Sequence, residues 1–438
     1  MPGVTQAGAR YYGGTYDPLE TFRRLRADGL LGDWAYLHLA PESAEIGWAP
    51  LARLRLLDGQ SPPDWQPRLQ QFAATARTAE RKAFGYIGFD AIDCAVGTLP
   101  DASASGWPLV EFIIPGELVT FAGDQVVHRT QGGVDLGRYL AVREPRVRPR
   151  RPPAPLAPTS LLPPRAFVAA VHHATAALQR GAAQKVVLAR YQAYDVSYDP
   201  VELFATYCLS QSFVDAFLVC FGELTAVVAS PELLLTVADG LLTTNPLAGT
   251  RRRGATPEED ARLRAELRND RKEMAEHVLS VTTMLEELGP LCVPETLAVT
   301  RLLDICLQQQ VQHLSSVVQG RLAPERHALE ALWALFPSVT VTGLPKAAAL
   351  ALLRQLEGPR GLYAGALGWV AGRDACRFAL AIRGLFRYGR RTFLQAGAGI
   401  MPESDPEAEL AETIYKLRAM EEALAQTVEV VTCPPASR

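Results

Sequence analysis

No cysteine in this sequence stands in a pair. Seven are present, Cys94, Cys208, Cys220, Cys292, Cys306, Cys376 and Cys433, without any C-x-x-C spacing and mostly within apolar sequence. That excludes a disulfide framework and fits reduced, buried thiols. Long apolar runs are missing as well. The best candidate, Thr225 to Leu242, is broken by Pro231, Glu232 and Asp239, short of the roughly 18 to 20 apolar residues that a membrane-spanning helix needs. The opening MPGVTQAGARYYGG has neither an apolar core nor a basic flank leading into one, so no signal peptide is expected and the protein reads as soluble and cytoplasmic, without membrane contact. Nor is either sign of charge in excess: 44 Lys and Arg stand against 47 Asp and Glu, a net charge of -3. The general electrostatic argument for nucleic acid or an acidic surface is thereby removed. What is present is globular in composition, 438 residues with 48% hydrophobic and 21% charged and a mean hydropathy of +0.03, long enough for a large core.

Residues Trp34 to about His128 read as short strands and tight turns, with WAYLHLA, LRLL, FGYIGFD and VEFIIPGELVTFAGDQVVHRT in succession. Between Pro145 and Pro164 lie eight prolines and four arginines, which neither a helix nor a central strand can absorb. This predicts an N-terminal β-rich part over 1–144, an extended surface connector over 145–165, and a third part over 166–438. PRAFVAAVHHATAALQRG has apolar residues at helical spacing and ends in Gly181, so a helix leads into the strand KVVLARYQAYDV. FLVCF, TAVVAS, LLLTV and LLTTN form a hairpin series, with Asp239-Gly240 as a type I′ turn signal. A helical period runs from about Glu258 to Leu288 and again through HALEALWALF. Strands are expected around Leu362–Val370, Cys376–Phe386 and Thr392–Ala396, then a helix from about Asp405 to Leu424.

Two carboxylate couples carry the chemistry. Glu273 and Glu276 in NDRKEMAEH share a helix face, and Glu409 and Glu412 in PEAELAETIYKL repeat the spacing with Lys416 one turn on. Either couple alone is the ordinary solvated face of a helix. Facing each other, they offer an oxygen-only donor set that suits Mg²⁺. QAGAGI, just before the second helix, is poor strand material unless something approaches its backbone closely, and its amides can hold a carboxylate. NPLAGTRRRG and TVTGLPK are Gly-containing turns with hydroxyls and basic groups. Arg251, Arg252 and Arg253 lack the aromatic interleaving of a nucleic-acid patch.

Taken in order, KVVLAR (185–190), SPE (230–232), PLAGTRRRG (246–254), DRKEMAEH (270–277), QHLSS (312–316), FPSVTVTGLPKAAAL (336–350), RGLYAGALGW (360–369), AIRG (381–384), QAGAGI (395–400) and SDPEAELAETIYKL (404–417) resemble the chorismate-utilising enzymes, the anthranilate, aminodeoxychorismate, isochorismate and salicylate synthases. Ten segments in the family's order remove the coincidence that afflicts single motifs. The N-terminal part resembles the family only through FGYIGFD. Departures are Arg252 where relatives have Pro, Thr342 where Ser is usual, Ala189 where Ser is common, and SVTTMLEELG in place of the R-N-D-L-G of the anthranilate branch. The resemblance implies one large α/β (α+β) domain, two antiparallel sheets packed as a sandwich with helices outside and the active site in a cleft.

The resemblance also implies roles. Lys185 stands where the ammonia-using branches have Gln; water needs a base and ammonia does not, so Lys points to water addition, provided neighbouring cations and burial make it a base. Glu232 matches the general acid. Gly249, Thr250, His313, Thr340, Tyr363, Arg383, Gly397 and Lys416 match substrate contacts, Arg383 and Tyr363 at the enolpyruvyl carboxylate. Glu276 and Glu412 match direct Mg²⁺ ligands, with Glu273 and Glu409 acting through water. The expected activity is salicylate synthase, chorismate passing through isochorismate to salicylate and pyruvate. Alternatives are an isochorismate synthase, an ammonia-using synthase, and a non-catalytic chorismate-binding paralogue. No amidotransferase subunit is expected.

Overall fold

The computed structural model describes residues 8–56, 65–92, 107–142, 153–154, 156–160, 163–308 and 311–428. Cys94, Cys433 and much of the 145–165 connector lie outside them. The five described cysteines are free thiols. No described helix is long and apolar enough to cross a membrane.

Strand pairing among these residues is antiparallel and builds two layers. One runs from Gln125–Thr130 through Val110–Ala122, Ser43–Leu56, Trp34–Ala40, Asp215–Phe221, Leu224–Ser230, Gly384–Tyr388 and Arg391–Ile400 to Lys185–Tyr194. The other runs from Ala83–Ile87 through Ala366–Ala371, Ala375–Leu380, Leu233–Ala238 and Leu241–Thr244 to Val311–Arg321, which also pairs with Leu247–Arg252 and Ala298–Leu307. The layers share one strand. Val110–Ala122 pairs with Ala83–Ile87 through its first half and with Gln125–Thr130 through its second. Its long partner Ser43–Leu56 carries a register shift between Pro50 and Ala52, the kind of bulge that bends a strand.

Aromatic side chains fill the space between the layers. Tyr36 stacks on Phe84 with ring centroids 3.7 Å apart, and Phe84 also meets Phe217 and Phe221. On the outer face of the first layer, helices Pro18–Ala27, Pro200–Tyr207 and Pro406–Thr427 contribute Phe22, Phe204 and Leu424 to a second core. Trp65–Thr78 and Ala328–Leu335 pack on the second layer. This is the α/β sandwich with helices outside that the resemblance implies.

Locally the periodicities hold where they are strong. PRAFVAAVHHATAALQ is a helix followed by Gly181 at φ +80°. The Asp239-Gly240 turn has φ of +52° and +75°, as type I′ requires. Three expectations are corrected. The single helix over 258–288 is two, Pro257–Asn269 and Arg271–Leu288, because Asp270 turns its carboxylate back to cap the amides of Lys272 and Glu273. The strand over Cys376–Phe386 breaks at Ala381–Arg383, where Arg383 takes φ +55°. Pro18–Ala27 and Trp65–Thr78 are helices inside the section that reads as β-rich.

Phe84 is fully buried at the centre of the interlayer stack, so Phe84→Ala is expected to cost about 3–5 kcal/mol in a denaturant titration. A loss below about 1 kcal/mol, the size of an ordinary surface change, would show that the stack does not join the layers.

Candidate active site

Helices Arg271–Leu288 and Pro406–Thr427 bring their first turns to one cleft. Each starts on an aspartate cap, Asp270 and Asp405. Glu273 and Glu409 sit in those first turns, where the positive end of the helix dipole favours a carboxylate. The cleft encloses about 760 Å³ of empty space, including space open to solvent. Thirteen of the fourteen candidate residues line it: Glu232, Gly249, Thr250, Glu273, Glu276, His313, Thr340, Tyr363, Arg383, Gly397, Glu409, Glu412 and Lys416. Lys185, the fourteenth, is fully buried just behind the wall, its Nζ 2.9 Å from Glu276 Oε1 and 3.4 Å from Ser280 Oγ. The neighbour expected beside Lys185 was a cation; the structure puts a carboxylate there.

Each lysine of the cleft is paired with a different glutamate. Lys185 holds Glu276, Lys272 holds Glu409 at 2.8 Å, and Lys416 holds Glu412 at 2.5 Å while donating to Gly397 O at 2.8 Å. Glu273 Oε2 accepts the Thr250 amide at 2.8 Å and Oε1 accepts Arg251 at 3.1 Å. Burial would raise the Glu276 carboxyl, but the Lys185 ammonium outweighs it and holds it below the usual range. Glu409 is pushed up to about 7, by burial first and then by the Glu412 carboxylate. Burial and the charges of Glu276 and Glu412 likewise raise Glu273.

Glu232 follows Pro231 in the link between two buried strands and is 4% exposed. Its Oε1 accepts the Thr340 hydroxyl at 2.7 Å, and Ser338 supports Thr340 with an Oγ–Oγ1 distance of 2.8 Å. Burial raises Glu232 to about 7 against the opposing Thr340 bond, so near neutrality it holds or releases a proton. Arg383 Nη2 lies 3.0 Å from His313 Nε2, and His313 Nδ1 lies 3.3 Å from Gly249 O and 3.1 Å from Thr250 Oγ1. A guanidinium only donates, so Nε2 must accept and the imidazole is neutral; burial and Arg383 drive its pKa far down. His313 therefore orients Arg383.

The glycines explain themselves by proximity. A Cβ on Gly399 would stand 2.2 Å from Glu276 Oε1, which is the close approach that QAGAGI predicts. Nearby, Gly397 offers a carbonyl to Lys416. Gly249 has φ +83°, and a Cβ there would meet Glu273 Oε2 at 3.3 Å. Of the arginine run, Arg251 pairs with Asp270 and Glu273, Arg252 with Glu259 and Arg253 with Asp260, so its charge is spent inside the chain. Lys346 of TVTGLPK bonds Glu287 and two carbonyls away from the cleft. Lys272 and Gln395 line the cleft without having been singled out. The i,i+4 placement of Lys272 before Glu276 was the available signal.

The chorismate binding enzyme family matches residues 33–422. The chain belongs to this family. It is 33% identical over 350 residues to anthranilate synthase component 1 of Saccharolobus solfataricus, covering 78% of this chain and 80% of that one. It is 40% identical over 255 residues to the salicylate synthase of Mycolicibacterium paratuberculosis, covering 57% and 56%. The menaquinone-specific isochorismate synthase of Escherichia coli superposes with a TM-score of 0.74 over 96% of this chain and 95% of that one at 20% identity, which shows the shared fold.

For a chorismate binding enzyme, a divalent ion is the group to test against the site. As placed, no three His, Cys, Asp or Glu among the described residues converge tightly enough to hold an ion; Lys272 reaches both Glu273 and Glu409, and Lys185 and Lys416 each hold one further glutamate. In kind and number the donors do fit: four carboxylates line one cleft, and two of them are raised, by burial first and then by their like-charged neighbours; a hard divalent cation relieves the second of these.

Thr340→Val removes the donor that favours the charged form of Glu232, so its titration should move above its present value of about 7. Carbon NMR of the labelled glutamate carboxyl reads this directly. A midpoint that stays put or falls would show that Thr340 does not hold the acid.

Proposed function

We propose that this chorismate binding enzyme is a salicylate synthase: water adds to the ring of chorismate as the ring hydroxyl leaves, giving isochorismate, which in the same cleft loses pyruvate to give salicylate. The observation that carries the reading is a buried lysine, Lys185, at the head of the strand beside the cleft where the ammonia-using branches have Gln. Lys185 takes the proton of the attacking water only as the neutral amine, so its ammonium, which now holds Glu276, must first release a proton to solvent. Glu232, protonated up to about pH 7, gives its proton to the departing hydroxyl. As pH rises through that value the acid form is lost, so activity falls on the alkaline side. Arg383, aimed by His313, and Tyr363 take the enolpyruvyl carboxylate; a two-pronged guanidinium fixes its direction as well as its charge. Glu276 and Glu412, with Glu273 and Glu409 behind water, would hold Mg²⁺, which supplies positive charge against the ring carboxylate. Loss of pyruvate needs no additional base when the hydrogen passes directly to the enolpyruvyl carbon, so binding geometry suffices.

The salicylate synthase relative supports this branch. The anthranilate synthase component 1 is matched over a larger share of its length, which keeps the ammonia-using reading as the second one, with an amidotransferase partner to be tested alongside it. An isochorismate synthase that releases its intermediate is the third.

Purified protein given chorismate and Mg²⁺ should form salicylate and pyruvate in equal amounts, by chromatography and a coupled pyruvate assay. Lys185→Gln should lose roughly 10² to 10⁴ in rate while still binding chorismate. Isochorismate without pyruvate, anthranilate with ammonium present, or a Lys185→Gln variant at full rate would each overturn the reading.

A further inference from the structure

Two motifs have no part in this chemistry: FGYIGFD, from the N-terminal part, and the arginine that opens RGLYAGALGW. The structure joins them. Asp90, which closes FGYIGFD, is 8% exposed and accepts the Gly361 amide at 2.7 Å and the Arg360 amide at 3.3 Å. The Phe89 amide donates to Gly361 O at 2.8 Å, and the Arg360 guanidinium lies 4.3 Å from the centre of the Phe89 ring. The Arg360 side chain is only 3% exposed. Its Nη1 donates to Val341 O, its Nη2 to Val187 O and its Nε to Glu357 Oε1, each at 2.6 Å. The second oxygen of Glu357 accepts the Ala189 amide at 2.7 Å.

The two carbonyls are informative in their positions. Val187 and Val341 both line the cleft. Val187 lies two residues beyond Lys185 on one strand, so the two share a face. Val341 follows Thr340, whose hydroxyl holds Glu232. One planar guanidinium thus ties the wall that carries the candidate base to the wall that holds the candidate acid; Glu357 fixes the guanidinium, and Asp90 fixes the backbone of Arg360 and Gly361. A buried fork with two carbonyls at 2.6 Å leaves little freedom in the separation of those walls. A lysine in its place has one point charge and cannot reach both carbonyls together.

We infer that Arg360, anchored by Glu357 and by Asp90 of the N-terminal part, is a positioning residue that sets the spacing between Lys185 and Glu232. The inference rests on the reading of those two residues as base and acid. It gives the N-terminal motif a task in the reaction, since a displacement near 1 Å of a reacting group can cost on the order of 10²-fold in rate.

The test is a double-mutant cycle. Arg360→Lys and the milder Glu357→Gln are made in the wild-type and Lys185→Gln backgrounds, with single-turnover rates, chorismate dissociation constants and thermal melts measured for each. In the wild-type background Arg360→Lys should lower the rate roughly 10- to 100-fold, while the dissociation constant stays within about threefold. Glu357→Gln should fall in the same direction by less. In the Lys185→Gln background the same substitutions should cost no more than about threefold, because the spacing they disturb no longer matters. Equal losses in both backgrounds, a loss confined to the dissociation constant, or folded variants at the wild-type rate would each overturn the inference, while wild-type turnover of chorismate would leave the functional reading intact. If Arg360→Lys does not fold, the Glu357→Gln cycle decides by the same criteria. A wild-type protein that leaves chorismate unchanged would remove the functional reading and this inference with it.

Discussion

Five carboxylates and three lysines face or back one cleft in a protein interior, and an unpaired charge in such a place is expensive. The pairing is complete but uneven. Lys185, Lys272 and Lys416 each take one glutamate, Glu276, Glu409 and Glu412. Glu273 leans on a backbone amide and Arg251. Glu232 alone has a hydroxyl in place of a cation as its hydrogen-bond partner, and burial pushes it up to about 7. Glu409 is raised as far but holds Lys272, so what sets Glu232 apart is the lack of a cation as its hydrogen-bond partner, and a site that protonates one group while neutralising others depends on that division.

The fold supplies the division through local devices at element ends. Aspartate caps start both glutamate-bearing helices at the cleft, so Asp270 interrupts what would otherwise be one long helix just before Glu273. Arg383 occupies a left-handed backbone conformation between two strands, a cost of the order of 1–3 kcal/mol that the surrounding pairing must offset. Gly399 keeps its strand bare so that Glu276 can lie against it. Behind these stands the shared strand Val110–Ala122, which makes the two layers one body and lets the N-terminal part reach the cleft walls through Asp90.

Much of this was legible in the residues themselves. The hairpins around Asp239-Gly240 and the helix ending at Gly181 carry strong local signals, and the ordered motifs placed thirteen of fourteen candidate residues on one cleft. What was hidden depends on contacts remote in sequence. The Arg360 clamp acts on the carbonyls of Val187 and Val341, and a carbonyl has no letter of its own. Lys272 lay inside a quoted motif, yet its pairing with Glu409, 137 residues away, needs the two helices to meet. The helix Pro18–Ala27 was signalled by Asp17-Pro18, a cap followed by Pro at the first turn, and by Leu19, Phe22 and Leu25 three residues apart, in a segment too short for the pattern to stand out.

The account stands on water as the nucleophile, handled by Lys185. The most direct measurement runs the reaction in water enriched in oxygen-18 and determines the isotope in the product by mass spectrometry. Addition of water predicts salicylate whose phenolic oxygen carries the solvent label, with pyruvate released alongside it. Salicylate or isochorismate without solvent oxygen at that position, or anthranilate formed in preference when ammonium is present, would contradict it.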